Sequence, residues 1–288
     1  MTWAAADQQI LRGSADSLTI SWAGADGEPT TPPTTPEVTV MRADGTAVTT
    51  GTASGSESSW AFPLTAAHTA DLDLLTVDWT VGSTTQSTSA AIVGGYYFTA
   101  AQARSQDSAL KDTAGYETSR LLEARAQVEA EIEWCADVAF VPRFTVVQIE
   151  GNGTSELVGP AMPRRVRWGT INYGTNTRAL TAPEIAALRL ERSGEISLLA
   201  GSWPEHSIVT LGVEHGHDRP HPKIVAAAII LLRVRMNTGK SNFPDRAERY
   251  QLSEGGMMFL SMPGAYKIGI PEVDAAIATY GVRIPAVA

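Results

Sequence analysis

The hydrophobic period of the chain changes once, between Gly94 and Tyr96, and that break limits what it can fold into. Before it the apolar residues alternate: Leu18, Ile20 and Trp22 in LTISW, then Leu75, Val77, Trp79 and Val81 in LTVDWTV. A period of two puts every second side chain on one face, the pattern of a half-buried strand. After it, Leu121, Ala124, Val128, Ile132, Cys135 and Ala139 recur at spacings of three and four in YETSRLLEARAQVEAEIEWCADVA, the pattern of one helix face. The two periods call for two different layers, and 288 residues are enough for two cores.

Residues 1–95 are rich in Thr, Ser and Gly and set ten acids against Arg12 and Arg42, a balance of −8 where the whole chain has −9. The turn-forming stretches ADGEPTTPPTTP, RADGT and VGST separate the alternating runs, and Asp44-Gly45 within EVTVMRADGTAV reads as a hairpin. About six or seven short strands over residues 1–93 predict an all-β, immunoglobulin-like sandwich. Cys135 is the single cysteine, so no internal disulfide supports the fold and the core must hold it. Trp22, Trp60 and Trp79 fall in the alternating patterns and read as core rather than as an exposed aromatic cluster. The composition break predicts that the remainder folds without this domain.

Residues 96–242 predict an α+β domain, a helical bundle with short strands. FTAAQARSQDSALKD opens a helix with Thr99 as its cap. The longer helix after it is ended by Pro142, which removes a donor and pushes Val141 out of the helical region. Cys135 lies on the apolar stripe as a small hydrophobe. Glu129, Glu131 and Glu133, at spacing two, face different ways and are expected in solvent. RFTVVQIE, SELVG, RRVRWGTINY, EIAALRLE and SIVTLGVEHG read as short strands, with a Gly-Asn-Gly turn after the first. PKIVAAAIILLRVRMN reads as a helix from Pro222 to near Gly239. It is apolar nearly all round, so neighbours must cover it on several sides, some of them from other copies of the chain. Its longest apolar run, Ile224 to Leu232, is about half of what spans a bilayer, and no basic-then-apolar leader opens the chain.

Residues 243–288 read as an extended C-terminal arm. Met257, Met258, Phe259, Leu260 and Met262 make an adaptable apolar run. Pro271–Tyr280 is a short helix with Pro271 in its first turn and Glu272 and Asp274 near its N-terminus. Such a helix on a Gly- and Pro-punctuated tether needs a docking partner to offset its ordering entropy.

The stretch that looks most like chemistry is EHGHDRPHP, Glu214 to Pro222, with three of the five histidines. Zinc needs three or four converging ligands. His215 and His217 share a side only if the strand runs on through Gly216, and His221 sits between prolines at a helix entrance. The stretch reads as a strand end, a turn and a proline-started helix. No metal, cofactor or catalytic residue is expected, and a hydrolase built on these histidines is the weaker rival. NTGKSN lacks the first glycine of a phosphate loop, with Val234 in its place, and lies at a helix C-terminus that repels phosphate. No GxSxG elbow is present. Arg164, Arg165 and Arg167 with Trp168 form the densest basic group. On a regular strand Arg165 and Arg167 share one face and Val166 and Trp168 the other, which suits salt bridges to protein acids. The net charge of −9 argues against a general nucleic-acid binder.

Ala139-Phe140-Val141-Pro142-Arg143 after ARAQVEAEIEWCADV, Trp203-Pro204, Val213-Glu214-His215-Gly216, and GIPEVDAAIATY from Gly269 occur in this order. In these stretches residues 96–288 resemble the head–tail adaptor proteins of long-tailed bacteriophages, also called head-completion or head-to-tail connector proteins. The resemblance implies a structural neck protein of the virion, made in the host cytoplasm, with no catalysis and no membrane. It implies a dodecameric ring beneath the portal protein that extends the DNA channel and meets a stopper or tail-completion protein. The genome would pass the lumen without sequence-specific binding, and an acidic or mixed lining suits sliding. It also implies an assembly interface, with Arg143, Arg165, Arg167, Met257, Phe259, Ile270, Pro271, Val273 and Tyr280 as candidates. The minimal members of that family lack the N-terminal sandwich, which is here an addition, an outward-facing ornament. A sugar- or receptor-binding role for the sandwich is the rival from another class.

Overall fold

The alternating runs of the first 95 residues form β1 (Gln8–Leu11), β2 (Asp16–Ser21), β3 (Glu37–Arg42), β4 (Ala47–Thr52), β5 (Ser54–Ser56), β6 (Ser59–Leu64), β7 (Asp73–Val81) and β8 (Thr84–Val93). Helices α1 (Ala100–Gln106) and α2 (Thr118–Ala136) follow. Then come β9 (Arg143–Glu150), β10 (Glu156–Val158), β11 (Pro163–Tyr173), β12 (Asn176–Ala179), α3 (Ala182–Ala186), β13 (Leu188–Leu190), β14 (Glu195–Leu198) and β15 (Ile208–His215). Helix α4 (Pro222–Asn237), a two-stranded pair of β16 (Ala247–Arg249) and β17 (Phe259–Leu260), and α5 (Pro271–Tyr280) end the chain. The computed structural model describes residues 6–237, 247–249, 259–260 and 267–282. Contacts group these elements into two units, Met1–Gly95 with Val141–Asp218, and Tyr96–Phe140 with Arg219–Ala288.

The first unit holds two pairs of sheets. Strands ordered β1-β8-β7-β3-β4 face strands ordered β2-β6-β5, with β1 parallel to β8 and the other pairs antiparallel. Leu18, Val38, Val40, Phe62, Leu75, Val77 and Ile92 fill the space between them, and Trp22, Trp60 and Trp79 are buried there as expected. The Trp79 indole N–H donates to Thr88 Oγ1 at 3.0 Å and that of Trp60 to the Glu57 carbonyl at 3.1 Å, so neither ring buries an unmet donor. The Asp44-Gly45 hairpin joins β3 to β4: Gly45 takes φ +84°, and Asp44 Oδ1 accepts the Thr46 amide at 2.9 Å.

The second pair in this unit comes from residues 141–218. A four-stranded sheet, β12-β11-β15-β9, covers a three-stranded one, β10-β14-β13. Their separate core is Val147, Leu157, Val166, Ile196, Trp203, Val209, Leu211 and Val213. EIAALRLE is only partly strand. Thr181 and Glu184 form a reciprocal capping box with Pro183 in the first turn, and this turns the first half into α3. The contacts also depart from the expected division at residues 94–96, which leaves 141–218 with the helices. Val141–Asp218 groups with the first 95 residues instead. The Gly94 amide donates to the Pro142 carbonyl at 2.8 Å, and a Cβ on Gly94 would lie 2.5 Å from that of Pro142. The chain returns to the sandwich at the point where glycine allows the closest approach.

In the second unit Thr99 caps α1 with a full capping box, Gln102 returning its side chain to the Thr99 amide at 2.8 Å. Helix α2 stops before Pro142. Its C-cap is Asp137, in the left-handed conformation at φ 54°, one of the few residue types that accept it. Leu121, Ala124, Val128, Ile132 and Ala136 are its buried apolar side, with Cys135 half-buried beside them. Helix α4 packs against α2 and α5, and buries Ile224, Ala227, Ala228, Ile229, Leu231, Leu232 and Met236 within its own chain. Arg235 bonds both Glu131 oxygens of α2, its Nε to Oε2 at 3.1 Å and one terminal nitrogen to Oε1 at 2.5 Å. Among the described residues no helix is long and apolar enough to cross a membrane.

Helix α5 starts as its sequence predicts, with Pro271 in the first turn. The Asp274 carboxylate accepts the Ile268 and Gly269 amides at 2.8 and 3.1 Å. The helix is not a free arm. Val273, Ala276 and Ile277 are buried, α4 and α2 are its neighbours, and the Val282 amide reaches the Ala136 carbonyl at 3.0 Å. Three apolar side chains on one face are enough to dock ten residues on a helix pair of the same chain.

Candidate functional site

The histidines of EHGHDRPHP do three different things. His215 ends β15, opposite Arg143 on one side and Pro163 on the other, and is buried. Loss of solvent, and then the charge of Arg143, pull its pKa from 6.5 down to about 3, so the ring is neutral. His217 lies in the turn beyond, and burial lowers its pKa as well. His221 belongs to the second unit, at the entrance of α4. Its Nδ1 accepts the Lys223 amide at 3.2 Å, and its ring stacks on Tyr280 with centroids 4.2 Å apart. This is the work of a cap, satisfying a free amide at a helix start. Among the described residues no three His, Cys, Asp or Glu side chains gather as a metal-ligand set.

The arginine group is placed by two irregularities in the β11–β15 ladder. Register runs Pro163–His215, Arg165–Glu214, Val166–Val213 and Trp168–Gly212, so Arg164 and Arg167 are the extra residues. A bulge re-aims a side chain. Arg164 turns to Asp218 at 2.6 Å. Arg167 reaches Asp73 at 3.3 Å, the Leu72 carbonyl, Asp71 at 3.9 Å and Glu214 at 3.8 Å, and lies over the Phe144 ring. The expected salt-bridge role holds for both. The expected facing of Trp168 does not: it lies across Gly212, away from buried Val166, because the bulge at Arg167 shifts the alternation by one. Arg42 completes the set, 3.0 Å from Asp73.

Sequence reasoning missed the most buried charges. Glu129 and Glu133, expected in solvent, are buried, with Arg125 one turn earlier. Glu129 accepts the Tyr97 amide at 2.9 Å and lies 3.8 Å from Arg125 Nε. Glu133 accepts the Tyr97 hydroxyl at 3.2 Å. Arg125 stacks over the Tyr96 ring, 3.6 Å from its centroid, and donates to the Phe98 carbonyl at 3.4 Å. The signal was present as a column, since Arg125, Glu129 and Glu133 stand at i, i+4 and i+8 on one helix face. The column clamps the segment Tyr96–Phe98.

The assembly candidates are divided between the two units. Arg143, Arg165 and Arg167 belong to the sheet unit; Arg143 is buried and Arg165 is exposed. Ile270, Pro271, Val273 and Tyr280 belong to the helical unit. Ile270 caps α5, Pro271 is exposed, Val273 is fully buried in its own unit, and Tyr280 holds His221. Met257 lies outside the described residues, as does the side chain of Phe259 in β17. Fold and geometry together define a sheet-rich protein of mixed α and β elements whose striking polar groups are engaged in internal pairs and caps.

No protein-family model matches the chain. No curated protein matches it. Among solved structures it is similar to a chain of the neck of an empty GTA particle computed with C6 symmetry, with a TM-score of 0.44 and 17% identity over 66% of this chain and 92% of that one. It is also similar to a chain of the neck of a native GTA particle computed with C12 symmetry, with a TM-score of 0.39 and 16% identity over 62% of this chain and 90% of that one. No residue role is transferred from either.

Proposed function

We propose that this chain is a structural neck protein of a phage-like particle, acting without catalysis. In this reading copies form a dodecameric ring between the portal and a stopper or tail-completion protein, and the genome passes through the lumen. The observation that carries it is where the adaptor-like stretches lie. Ala139, Phe140 and Val141 are buried beyond α2, Trp203 is fully buried between the sheets, Val213 and His215 are buried in β15, and GIPEVDAAIATY docks as α5. The residues that resemble an adaptor are therefore framework, as expected when a resemblance reports a shared scaffold.

Residues 96–288 carry 20 basic and 21 acidic residues, a mixed balance of −1 that suits a channel wall along which DNA slides. The domains are read as a sandwich of residues 1–93 added to an adaptor core. In that sandwich β2, β6 and β5 take the places of strands B, E and D of an immunoglobulin-like fold, and β3, β7 and β8 those of C, F and G. Burial of Trp22, Trp60 and Trp79 leaves no aromatic platform for sugar from those three rings. Electron microscopy of the purified chain, alone and mixed with the portal of the same particle, tests the reading. The expected result is a ring with a central channel seated on the portal. A chain that stays monomeric in both samples overturns it.

A further inference from the structure

The outer edge of a sheet presents unused amides and carbonyls, a template for one more strand. The sandwich closes its edges. On one side Gln8 of β1 spans to β2, its carboxamide donating to the Ser17 carbonyl at 2.7 Å and accepting the Thr19 amide at 3.2 Å. On the other, the chain crosses from β4 straight into β5 at buried Ala53. In the three-stranded sheet the Glu156 carbonyl of β10 accepts from Asn152 Nδ2 at 3.4 Å, and the Glu156 amide donates to Thr154 Oγ1 at 3.2 Å. The other edge strand there, β13, has three residues and packs near β11.

The four-stranded sheet leaves both edges open. Hydrogen-bonded and non-bonded pairs alternate along an antiparallel ladder. At one side the Gly151 amide donates to the Ser207 carbonyl, and at the other the Leu180 amide donates to that of Gly169. Counted along the register from these bonds, Ile149 bonds β15 and Arg178 bonds β11. Gln148 and Glu150 of β9, and Thr177 and Ala179 of β12, therefore turn their amides and carbonyls outward. All four residues are exposed, and no hydrogen bond among the described residues caps those groups. The sandwich meets β9 only near its start, where the Gly94 amide reaches the Pro142 carbonyl, and leaves its far end in solvent. Neither strand carries a proline, a lysine or a bulge, the devices that blunt an edge.

The two edges fit each other. Three antiparallel pairings separate β12 from β9, so the two run in opposite directions. Rotation about an axis along the strands keeps those directions, and β12 of one copy then meets β9 of the next antiparallel. With Ala179 opposite Gln148, Thr177 falls opposite Glu150 and Arg178 opposite Ile149, and no like charges face each other. The core side also stays the core side, since Ile149 packs against the Trp203 core and Ile171, the partner of Arg178, belongs to it. Strand β12 paired with its own copy at full overlap instead sets Arg178 against Arg178. We infer that β12 of one copy pairs with β9 of the next, so that the sheet continues from copy to copy. The inference rests on the ring reading above, which needs unlike surfaces joined head to tail.

Proline separates this contact from the fold, because Thr177→Pro and Gln148→Pro each delete an outward amide and no bond inside the sheet. Each is expected to lower the assembled fraction at least about tenfold, or about 1.4 kcal/mol, with an unchanged urea midpoint. In a Cys135→Ser background, Thr177→Cys and Glu150→Cys are introduced singly and together, and assembled samples are treated with a short bismaleimide. The double variant is expected to give a ladder of covalent oligomers on a denaturing gel, and each single variant to stay monomeric there. Should a proline lower the urea midpoint, the ladder alone decides. Rings seen by microscopy without a ladder, or with both prolines tolerated, overturn this contact and leave the ring reading standing. A cross-link to the portal instead of a second copy also overturns it. A wild-type chain that never assembles removes both.

Discussion

The two units both bury acids, and they hold them in different ways. In the sheet unit Asp73 is met by guanidinium groups from two other strands, Arg42 at 3.0 Å and Arg167 at 3.3 Å. In the helical unit Glu129 takes a backbone amide at 2.9 Å, with Arg125 more distant at 3.8 Å, and Glu133 takes a phenol. Arg42 reaches Asp73 across the β3–β7 ladder, and Arg167 comes to it from a strand of another sheet, so charge meets charge. A connecting segment laid against a helix brings a backbone amide with no ladder to join. Such a buried amide needs an acceptor, and α2 supplies one. Buried acid in the first unit ties strands together; in the second it ties down a connection.

Removing residues 1–93 tests this contrast most severely. It takes away Asp73 and the Leu72 carbonyl from Arg167, and the sandwich with which the strands of 141–218 are grouped. The expected outcome is an aggregating remainder, read by light scattering, with lost amide protection in β9, β11 and β15. A soluble remainder that keeps that protection restores the boundary read at residues 94–96. Glu129→Ala comes next. It strands the Tyr97 amide and weakens the hold on Arg125, at an expected cost of about 3–5 kcal/mol in urea unfolding. A cost below about 1 kcal/mol would mean that the helical unit does not depend on its buried acid.

The third test is pH. His215 has a folded pKa of about 3 against an ordinary 6.5, so the unfolded chain takes up the proton first. The stability tied to the neutral ring is complete above pH 6.5 and is lost as pH falls toward 3. At pH 5 the expected loss is about 2 kcal/mol relative to pH 7, at about 1.4 kcal/mol per pH unit below the unfolded value. His215→Asn should flatten that slope in paired urea melts. An equal slope in both proteins would place the acid sensitivity elsewhere. The smallest effect is expected from Thr181→Ala. It removes the cap of exposed α3 for about 1 kcal/mol, measured as a shift in the thermal midpoint, and leaves the helical unit's amide protection unchanged.

Much of the architecture is legible in the sequence. The strands LTISW and LTVDWTV, the Asp44-Gly45 hairpin, the Thr99 cap and the Pro271 helix start all rest on rules that act over a few residues. Sandwich tryptophans could be placed inside because alternation assigns a side to each residue. EIAALRLE misled because the three-residue reach of Thr181 to Glu184 outweighs a short apolar run. EHGHDRPHP drew attention by composition, yet two of its histidines serve a strand end and its turn, and the third a helix entrance.

EIAALRLE apart, the sequence by itself determined which of the segments it singled out are strand and which are helix, and that no disulfide is available. Those follow from backbone sterics and local periodicity. Tertiary structure alone decided that residues 141–218 group with the sandwich, that α5 docks on its own chain, and that Glu129 and Glu133 lie inside. Whether a polar side chain is buried depends on what approaches it from elsewhere in the chain. Tyr97 stands 32 residues from Glu129, beyond the reach of any local pattern. The bulge at Arg167 is of the same kind: one extra residue reverses which side Trp168 faces, and only pairing with β15 reveals it.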